Sequence, residues 1–326
     1  MKKFLKDLQN ALKKLKVSNE EVEEILSDHE EMINEALNQG LSEEEISNKF
    51  GDPMKVAQDL YNDLNKVEVD VNKYVQDSEF SSIKDFEIFK VFPVTDLKEI
   101  IVKLVSEDIE IYPYEGQNIE VHYHKVKNLD KYETSLENGV FKLIRKTGLN
   151  VNVFNRDNGD FVVRYPNVGK LENYDIKSVS GDCDLKGIAT SKLKLKSTSG
   201  DFEVTGIVVT EPTEFTTVSG DFEVVDANLK SVKMNTVSGD FECKDLKIDE
   251  DIDMNTVSGD FEFLNVSANS AVFNSVSGDL EANEFYVEKI DLKSVSGDVE
   301  ISNTDKTRPI TVGRKRSLSG DISINQ

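Results

Sequence analysis

The heptapeptide TVSGDFE occurs three times unchanged, at residues 217–223, 236–242 and 256–262. Its centre, Ser-Gly-Asp, occurs eight times, with glycines at 181, 200, 220, 239, 259, 278, 297 and 320, in steps of 19, 20, 19, 20, 19, 19 and 23. A period of 19–23 residues is the signature of a solenoid in which each repeat forms one coil of a stack. Of all features of the sequence this one constrains the fold most. It predicts an all-β parallel β-solenoid, a single-stranded right-handed β-helix of about eight regular coils.

Aligning the copies on glycine separates inward from outward positions. Two residues after it stand Cys183, Phe202, Phe222, Phe241, Phe261, Leu280, Val299 and Ile322; four after it stand Leu185, Val204, Val224, Cys243, Phe263, Ala282, Ile301 and Ile324. Five before it lie Ile176, Leu195, Phe215, Met234, Met254, Phe273 and Leu292. These columns face the interior, and coils about 4.8 Å apart turn each into a ladder of like residues packed on one another. Six after the glycine, Gly187, Gly206, Asp226, Asp245, Asn265, Glu284 and Asn303 mark a second corner. Cys183 and Cys243 both point inward three coils apart, about 14 Å by coil spacing and too far for a disulfide. They are expected to be free, buried thiols.

Between the inward columns lie acids. Asp201, Asp221, Asp240, Asp260, Asp279 and Asp298 follow their glycines directly, and Glu203, Glu223, Glu242, Glu262, Glu281 and Glu300 come two residues later; Asp182, Asp184 and Asp321 extend the pattern. Like charges one coil apart repel by about 0.9 kcal/mol even in water. One reading gives each aspartate hydrogen bonds within its own turn and leaves the glutamates solvated. The other makes the face a surface for a cationic peptide, a basic protein partner or Ca²⁺, with Ca²⁺ the weaker candidate because the coil offers few loop carbonyls. The column Asn235, Asn255 and Asn274 suits an amide ladder. Arg308, Arg314, Lys315 and Arg316 form a basic cluster in the irregular last coil.

Residues 1–66 follow a different period. Phe4, Leu5, Leu8, Leu12 and Leu15 form one helical stripe, and Val22, Ile25, Leu26, His29, Ile33, Ala36 and Leu37 a second, with Ser18 or Asn19 as its cap and Gly40 at its end. Ser42 and Glu45 have capping-box spacing, and Asp52 precedes Pro53 as a cap precedes a first helical residue. His29, on the apolar stripe, reads as a packed side chain. The domains expected are a helical module at 1–66, an irregular β region at 67–172 that caps the solenoid, and coils at 173–326. The strand-like runs of the middle region include those at 67–75 and 151–154.

A net charge of −23, from 62 acids against 39 bases, argues against nucleic acid as a partner. No apolar run reaches the roughly 18 residues of a membrane helix, and the amphipathic start lacks a signal peptide's apolar core, which reads as cytoplasmic. The acids recur uniformly on short connections, unlike the single asymmetric cluster of a polysaccharide-cleaving β-helix. His122 and His124 share a strand face without the further ligands of a zinc site. No catalytic residue, cofactor or metal is expected.

Residues 1–64 resemble the bacterial HAAS-type signalling module through Gly40, Ser42, Glu45, the Phe50–Pro53 run and Ala57. From about residue 85 the chain resembles the "putative adhesin" β-repeat family of Gram-positive bacteria, through SEDIEIYPYEGQNIEVHYH, VVRYPN and the Ser-Gly-Asp coils. The two parts together resemble LiaX-type envelope-stress proteins. That resemblance implies a surface location, peripheral association with the envelope and a non-catalytic role in sensing daptomycin and cationic antimicrobial peptides. The alternative function it leaves open is a surface adhesin or scaffold.

Overall fold

The computed structural model describes residues 2–14, 22, 25–27, 29, 30, 33, 37, 42, 51–57, 85–146 and 159–325. Leu15, Ser18, Asn19, Ala36, Gly40, Glu45 and the runs at 67–75 and 151–154 lie outside them. The chain divides into two compact units, Met1–Glu68 and Val69–Gln326.

In the first unit, helix α1 (Lys2–Lys14) buries Phe4, Leu8, Ala11 and Leu12 in one cluster with Val22, Ile33 and Ala57. Leu37, one turn beyond Ile33, is 41% exposed, so the second stripe is buried over a shorter length than its spacing suggests. Asp52 caps the helical residues 53–57, its Oδ1 accepting from the Met54 N–H at 3.1 Å. His29 is buried against the helix backbone, Nδ1 lying 2.8 Å from the Ile25 carbonyl.

The second unit is the solenoid. On one side of the Ser-Gly-Asp corner β9 (Cys183–Lys186), β11 (Phe202–Val209), β13 (Phe222–Leu229), β15 (Phe241–Ile248), β17 (Phe261–Asn274), β18 (Leu280–Lys293), β19 (Val299–Ser302) and β21 (Ile322–Asn325) form one parallel ladder. On the other side β8 (Leu171–Lys177), β10 (Ala189–Lys196), β12 (Thr213–Thr216), β14 (Val232–Asn235) and β16 (Asp251–Asn255) continue through β17 and β18 to β20 (Thr311–Arg316). Like pairs with like: Phe202↔Phe222, Phe222↔Phe241, Phe241↔Phe261. Their rings stack with centroids 4.8, 4.9 and 5.1 Å apart, which is the coil spacing itself. The three inward columns are buried except at the last coil, where Ile322 and Ile324 are half-buried.

The second corner is formed as the spacing indicates. Gly187, Gly206, Asp226, Asp245, Asn265 and Glu284 all take positive φ, between 54° and 67°, the left-handed bend that glycine, Asn and Asp tolerate best. Asn303 differs. Its side chain is buried, Oδ1 accepting from the Phe285 N–H and Nδ2 donating to the Phe285 carbonyl, both at 2.8 Å.

At the other end the layers depart from chain order. The remaining strands are β1 (Glu87–Pro93), β2 (Glu99–Lys103), β3 (Asp108–Tyr114), β4 (Asn118–His124), β5 (Tyr132–Glu137), β6 (Val140–Arg145) and β7 (Asp160–Pro166). β2 lies between β6 and β8, and β3 between β7 and β9, all parallel. The layer of residues 99–114 is therefore inserted between those of 140–166 and 171–186. Antiparallel strands finish this end: β5 on β6, β4 on β7, and β1 on β4. They occupy edges that would otherwise expose unpaired backbone.

A candidate ligand groove along the acidic columns

Five positions of TVSGDFE, the Thr, Ser, Gly, Asp and Phe, have local tasks, which separates these structural residues from the free side chains. The Ser/Thr three before glycine closes the turn: Thr217, Thr236 and Thr256 Oγ1 accept from the Gly220, Gly239 and Gly259 N–H at 2.8–2.9 Å. Ser219, Ser238 and Ser258 hydroxyls donate to a carbonyl of the preceding coil at 3.3 Å. The glycines are obligatory through packing, since a Cβ on Gly239 would lie 2.0 Å from the Gly220 carbonyl oxygen, with the same approach in every coil. Phenylalanine fills the core.

The aspartates work between coils and not within their own turn. Asp201 Oδ1 accepts from the Asp221 N–H, Asp221 from Asp240, Asp240 from Asp260 and Asp260 from Asp279, at 2.7–2.8 Å. The same ladder runs from Asp108 through Asp182 to Asp201, and from Asp279 through Asp298 to Asp321. Charge-assisted bonds of this kind offset the repulsion along the column. This corrects the turn-bond expectation: the acceptor serves the neighbouring coil, which keeps the stack in register.

The glutamates have no such task. Glu203, Glu223, Glu242, Glu262, Glu281 and Glu300 stand in strict register, exposed. Elsewhere the coils set opposite charges over one another, as in Lys194–Glu214 at 2.7 Å, Lys192–Glu211 and Lys233–Asp253 at 3.6 Å, and Lys230–Glu250 at 3.8 Å. Among the described residues no lysine or arginine lies within 4.0 Å of the Glu203, Glu223, Glu242 or Glu262 carboxylates. Partial burial, then the charges of Glu203 and Glu242, raises the pKa of Glu223. A second exposed column, absent from the sequence reading, comprises Val179, Val218, Val237, Val257, Val276 and Val295, each 43–47% exposed.

The acidic columns line an elongated groove of about 780 Å³. Asp201, Glu203, Asp221, Glu223, Asp240, Glu242, Asp260 and Glu262 border it, whereas Asp279, Glu281, Asp298 and Glu300 continue the columns beyond it. At its head it takes in Phe86, Asp108, Glu110, Asp160, Phe161 and Val162. Sequence reasoning missed these. Their signal was present: Ser106-Glu107-Asp108-Ile109-Glu110 and Gly159-Asp160-Phe161 are variants of SGDFE, and they pair into the columns as Asp108↔Asp160, Ile109↔Phe161 and Glu110↔Asp184. Glu107 takes the glycine position in the inserted layer, between that of Gly181 and the outer layer of β7. Fully buried, it accepts from Tyr132 Oη at 2.6 Å, pairs with Arg145, and receives the Val105 and Ser106 N–H at 3.0 and 3.2 Å.

Glu110, by contrast, is 3% exposed with no hydrogen bond to either carboxylate oxygen. Burial, then the charge of Asp184, pushes its pKa up to about 8. Asp184 Oδ1 is also buried and unbonded, while its Oδ2 holds Lys186 Nζ at 2.6 Å.

The other candidates are structural. His122 is buried with Nε2 2.9 Å from Glu120, and His124 Nδ1 lies 3.1 Å from Asp160. Among the described residues no three His, Cys, Asp or Glu come together as metal ligands would. The asparagine ladder is formed, Asn255 and Asn274 Nδ2 donating to the Oδ1 of the preceding member at 3.3 and 3.0 Å. Both cysteines are buried and free, burial raising their thiol pKa. In the basic cluster Arg308 packs 4.3 Å over the Tyr286 ring and Lys315 donates to the Ile322 carbonyl at 3.1 Å. No described helix is long and apolar enough to cross a membrane.

These features define a repeat protein of the parallel β-solenoid class with an acidic groove along one face. The chain belongs to the Toastrack DUF4097 family, which it matches over residues 97–262 and 217–326, and residues 3–59 are a HAAS module. No curated protein matches it. Its fold is similar to two Parabacteroides distasonis crystal structures. One, described as a "putative lipid binding protein", is 16% identical, with TM-score 0.53, covering 74% of this chain and 97% of its own. The other, described as a "putative adhesin", is 16% identical, with TM-score 0.50, covering 74% and 98%. Likeness at this level concerns the fold, and neither match bears on the LiaX-type resemblance.

Proposed function

We propose that the solenoid is a non-catalytic receptor whose glutamate column binds cationic peptides, and that the chain acts as a sensor or regulator in a cell-envelope stress response. In this reading the HAAS module relays or restrains the signal. One observation carries it: opposite charges face each other between coils at Lys192–Glu211, Lys194–Glu214, Lys230–Glu250 and Lys233–Asp253, and the aspartates bond along the stack, yet the glutamates of the groove stand like on like with no lysine or arginine within 4.0 Å among the described residues. Such a strip attracts polycations by a salt-sensitive mechanism of low specificity.

The test is the triple variant Glu223→Gln, Glu242→Gln, Glu262→Gln, titrated calorimetrically with a cationic peptide at low and high salt beside a thermal melt. Weaker binding with a shallower salt dependence and an unchanged or higher melting temperature is expected. Unchanged binding would reduce the column to a solvated face.

A further inference from the structure

The head of the groove differs from its length. Along β13, β15 and β17 the acidic column is exposed, but at β3 it sinks below the surface, leaving Glu110 buried without a hydrogen bond. Leaving a buried polar group without a hydrogen bond is unfavourable, and its persistence at the wall of a groove needs a reason. From this geometry we infer that Glu110, Asp184 and Glu203 form a specific subsite for a primary ammonium group, the side chain of a lysine on a bound peptide. The inference rests on the acidic groove being the ligand surface and adds an anchoring point to it.

Lys186 gives the size of the occupant. Its Nζ bonds Asp184 Oδ2 at 2.6 Å and stands 3.7 Å from Glu110 Oε1, an ion-pair distance too long for a hydrogen bond. An ammonium therefore fits against this pair of carboxyls, while the resident one leaves both Glu110 oxygens and Asp184 Oδ1 without a donor. A second ammonium arriving along the groove would meet Glu203, which pairs with Asp184 in the next coil, and would reach the enclosed Glu110 oxygens and Asp184 Oδ1 once those side chains turn toward the groove, supplying up to three donors. A planar guanidinium presents a wider fork.

The surroundings leave Glu110 as the group that responds. Across β9 it meets Asp184 and Lys186, and beyond them Glu203 of β11. On its own strand Tyr112 keeps its proton, burial holding its pKa up at about 12. Toward β7 its partner is Val162, the adjoining Arg164 being held by Glu120 of β4 at 2.6 Å; His122, opposite Val162, rests on that same Glu120. With a pKa of about 8, Glu110 is largely protonated at pH 7. An incoming ammonium favours the carboxylate, so binding releases a proton and strengthens as pH rises toward 8.

The experiment titrates the full chain with tetralysine at pH 7 in two buffers of different ionisation enthalpy, with tetralysine acetylated on every amino group, tetraarginine and spermine as further arms. Wild type should release up to about one proton per peptide and prefer tetralysine to tetraarginine by about fivefold or more. The acetylated peptide should fail, and spermine should bind with the same proton release, identifying the ammonium as the recognised group. Glu110→Gln should abolish the proton release and lose about five- to tenfold in affinity, and Lys186→Met should gain affinity by removing the resident cation. Wild-type affinity and proton release in Glu110→Gln would overturn the subsite; if that variant does not fold, unchanged or weaker binding by Lys186→Met does so. Loss of binding in the triple glutamine variant with Glu110→Gln unaffected leaves the groove and removes its anchor. The reverse pattern keeps the anchor and removes the column, and no binding by wild type removes both.

Discussion

Adding one methyl group at Gly239 should separate two coils. An alanine Cβ there would lie 2.0 Å from the Gly220 carbonyl oxygen and 2.8 Å from its carbon. Both atoms are backbone, so no side chain can swing away, and restoring a contact of about 3.4 Å opens the stack locally by more than 1 Å. The gap falls where Ser238 N–H donates to the Val218 carbonyl at 2.9 Å, Phe222 N–H to the Asp240 carbonyl at 2.9 Å and Asp240 N–H to Asp221 Oδ1 at 2.8 Å. Three bonds at about 1 kcal/mol each, with part of the Phe222–Phe241 stacking, predict a loss of about 3–4 kcal/mol. At Gly320 the same clash, 2.1 Å to the Gly297 oxygen, falls in the last coil, where strands can move aside, and about 1 kcal/mol is expected. Urea unfolding of the two variants and wild type, followed by far-UV circular dichroism, measures the difference. Gly239→Ala within 1 kcal/mol of wild type, or no costlier than Gly320→Ala, would refute the claim that glycine is there for backbone contact.

Thr236→Val should cost about 1–2 kcal/mol by removing the acceptor for Gly239 N–H while Thr236→Ser should cost less than half of that, which paired melts would check. Phe241→Ala in the middle of the ring ladder should destabilise by about 3–5 kcal/mol and exceed Val299→Ala near the end, where the stack frays; equal losses in denaturant would contradict the register. Glu110 has a folded pKa of about 8, above the unfolded value near 4.3. Its neutral form therefore favours folding below the unfolded pKa, and that contribution is lost as pH rises toward 8. The wild-type melting temperature should accordingly fall more between pH 5 and pH 8 than that of Glu110→Gln, and parallel curves for the two proteins would count against the buried, protonated carboxyl.

How much of this was legible in the sequence follows from how each feature is encoded. The inward columns, the second corner and the two free thiols depend only on counting from glycine, because a solenoid converts sequence period into spatial register. The aspartate's role was not legible in that way. Its bond reaches a backbone N–H one coil away, and a list of outward residues does not say which of two equivalent columns leans along the stack. The groove head was hidden for another reason. The layer of Asp108 and Glu110 enters between later segments of the chain, and its Ser-Glu-Asp breaks the glycine pattern used to find coils.

That broken triplet also explains why the head is unlike the rest of the groove. A glycine is needed only where another coil's backbone closes in, as at Gly181, where a Cβ would lie 2.0 Å from the Glu107 carbonyl oxygen. Glu107 instead meets the Tyr132 and Arg145 side chains, so the position admits a carboxylate, and that carboxylate binds the Val105 and Ser106 N–H groups of its own corner. Two buried acids thus stand three residues apart, Glu107 and Glu110. The first has hydrogen bonds from side chains and backbone alike; the second has none on either oxygen. Burial alone cannot account for that difference, since both are buried to nearly the same degree. What separates them is their place: Glu107 is enclosed by the donors of its own corner, whereas Glu110 lies in the groove wall with Lys186 Nζ 3.7 Å away as its nearest cation.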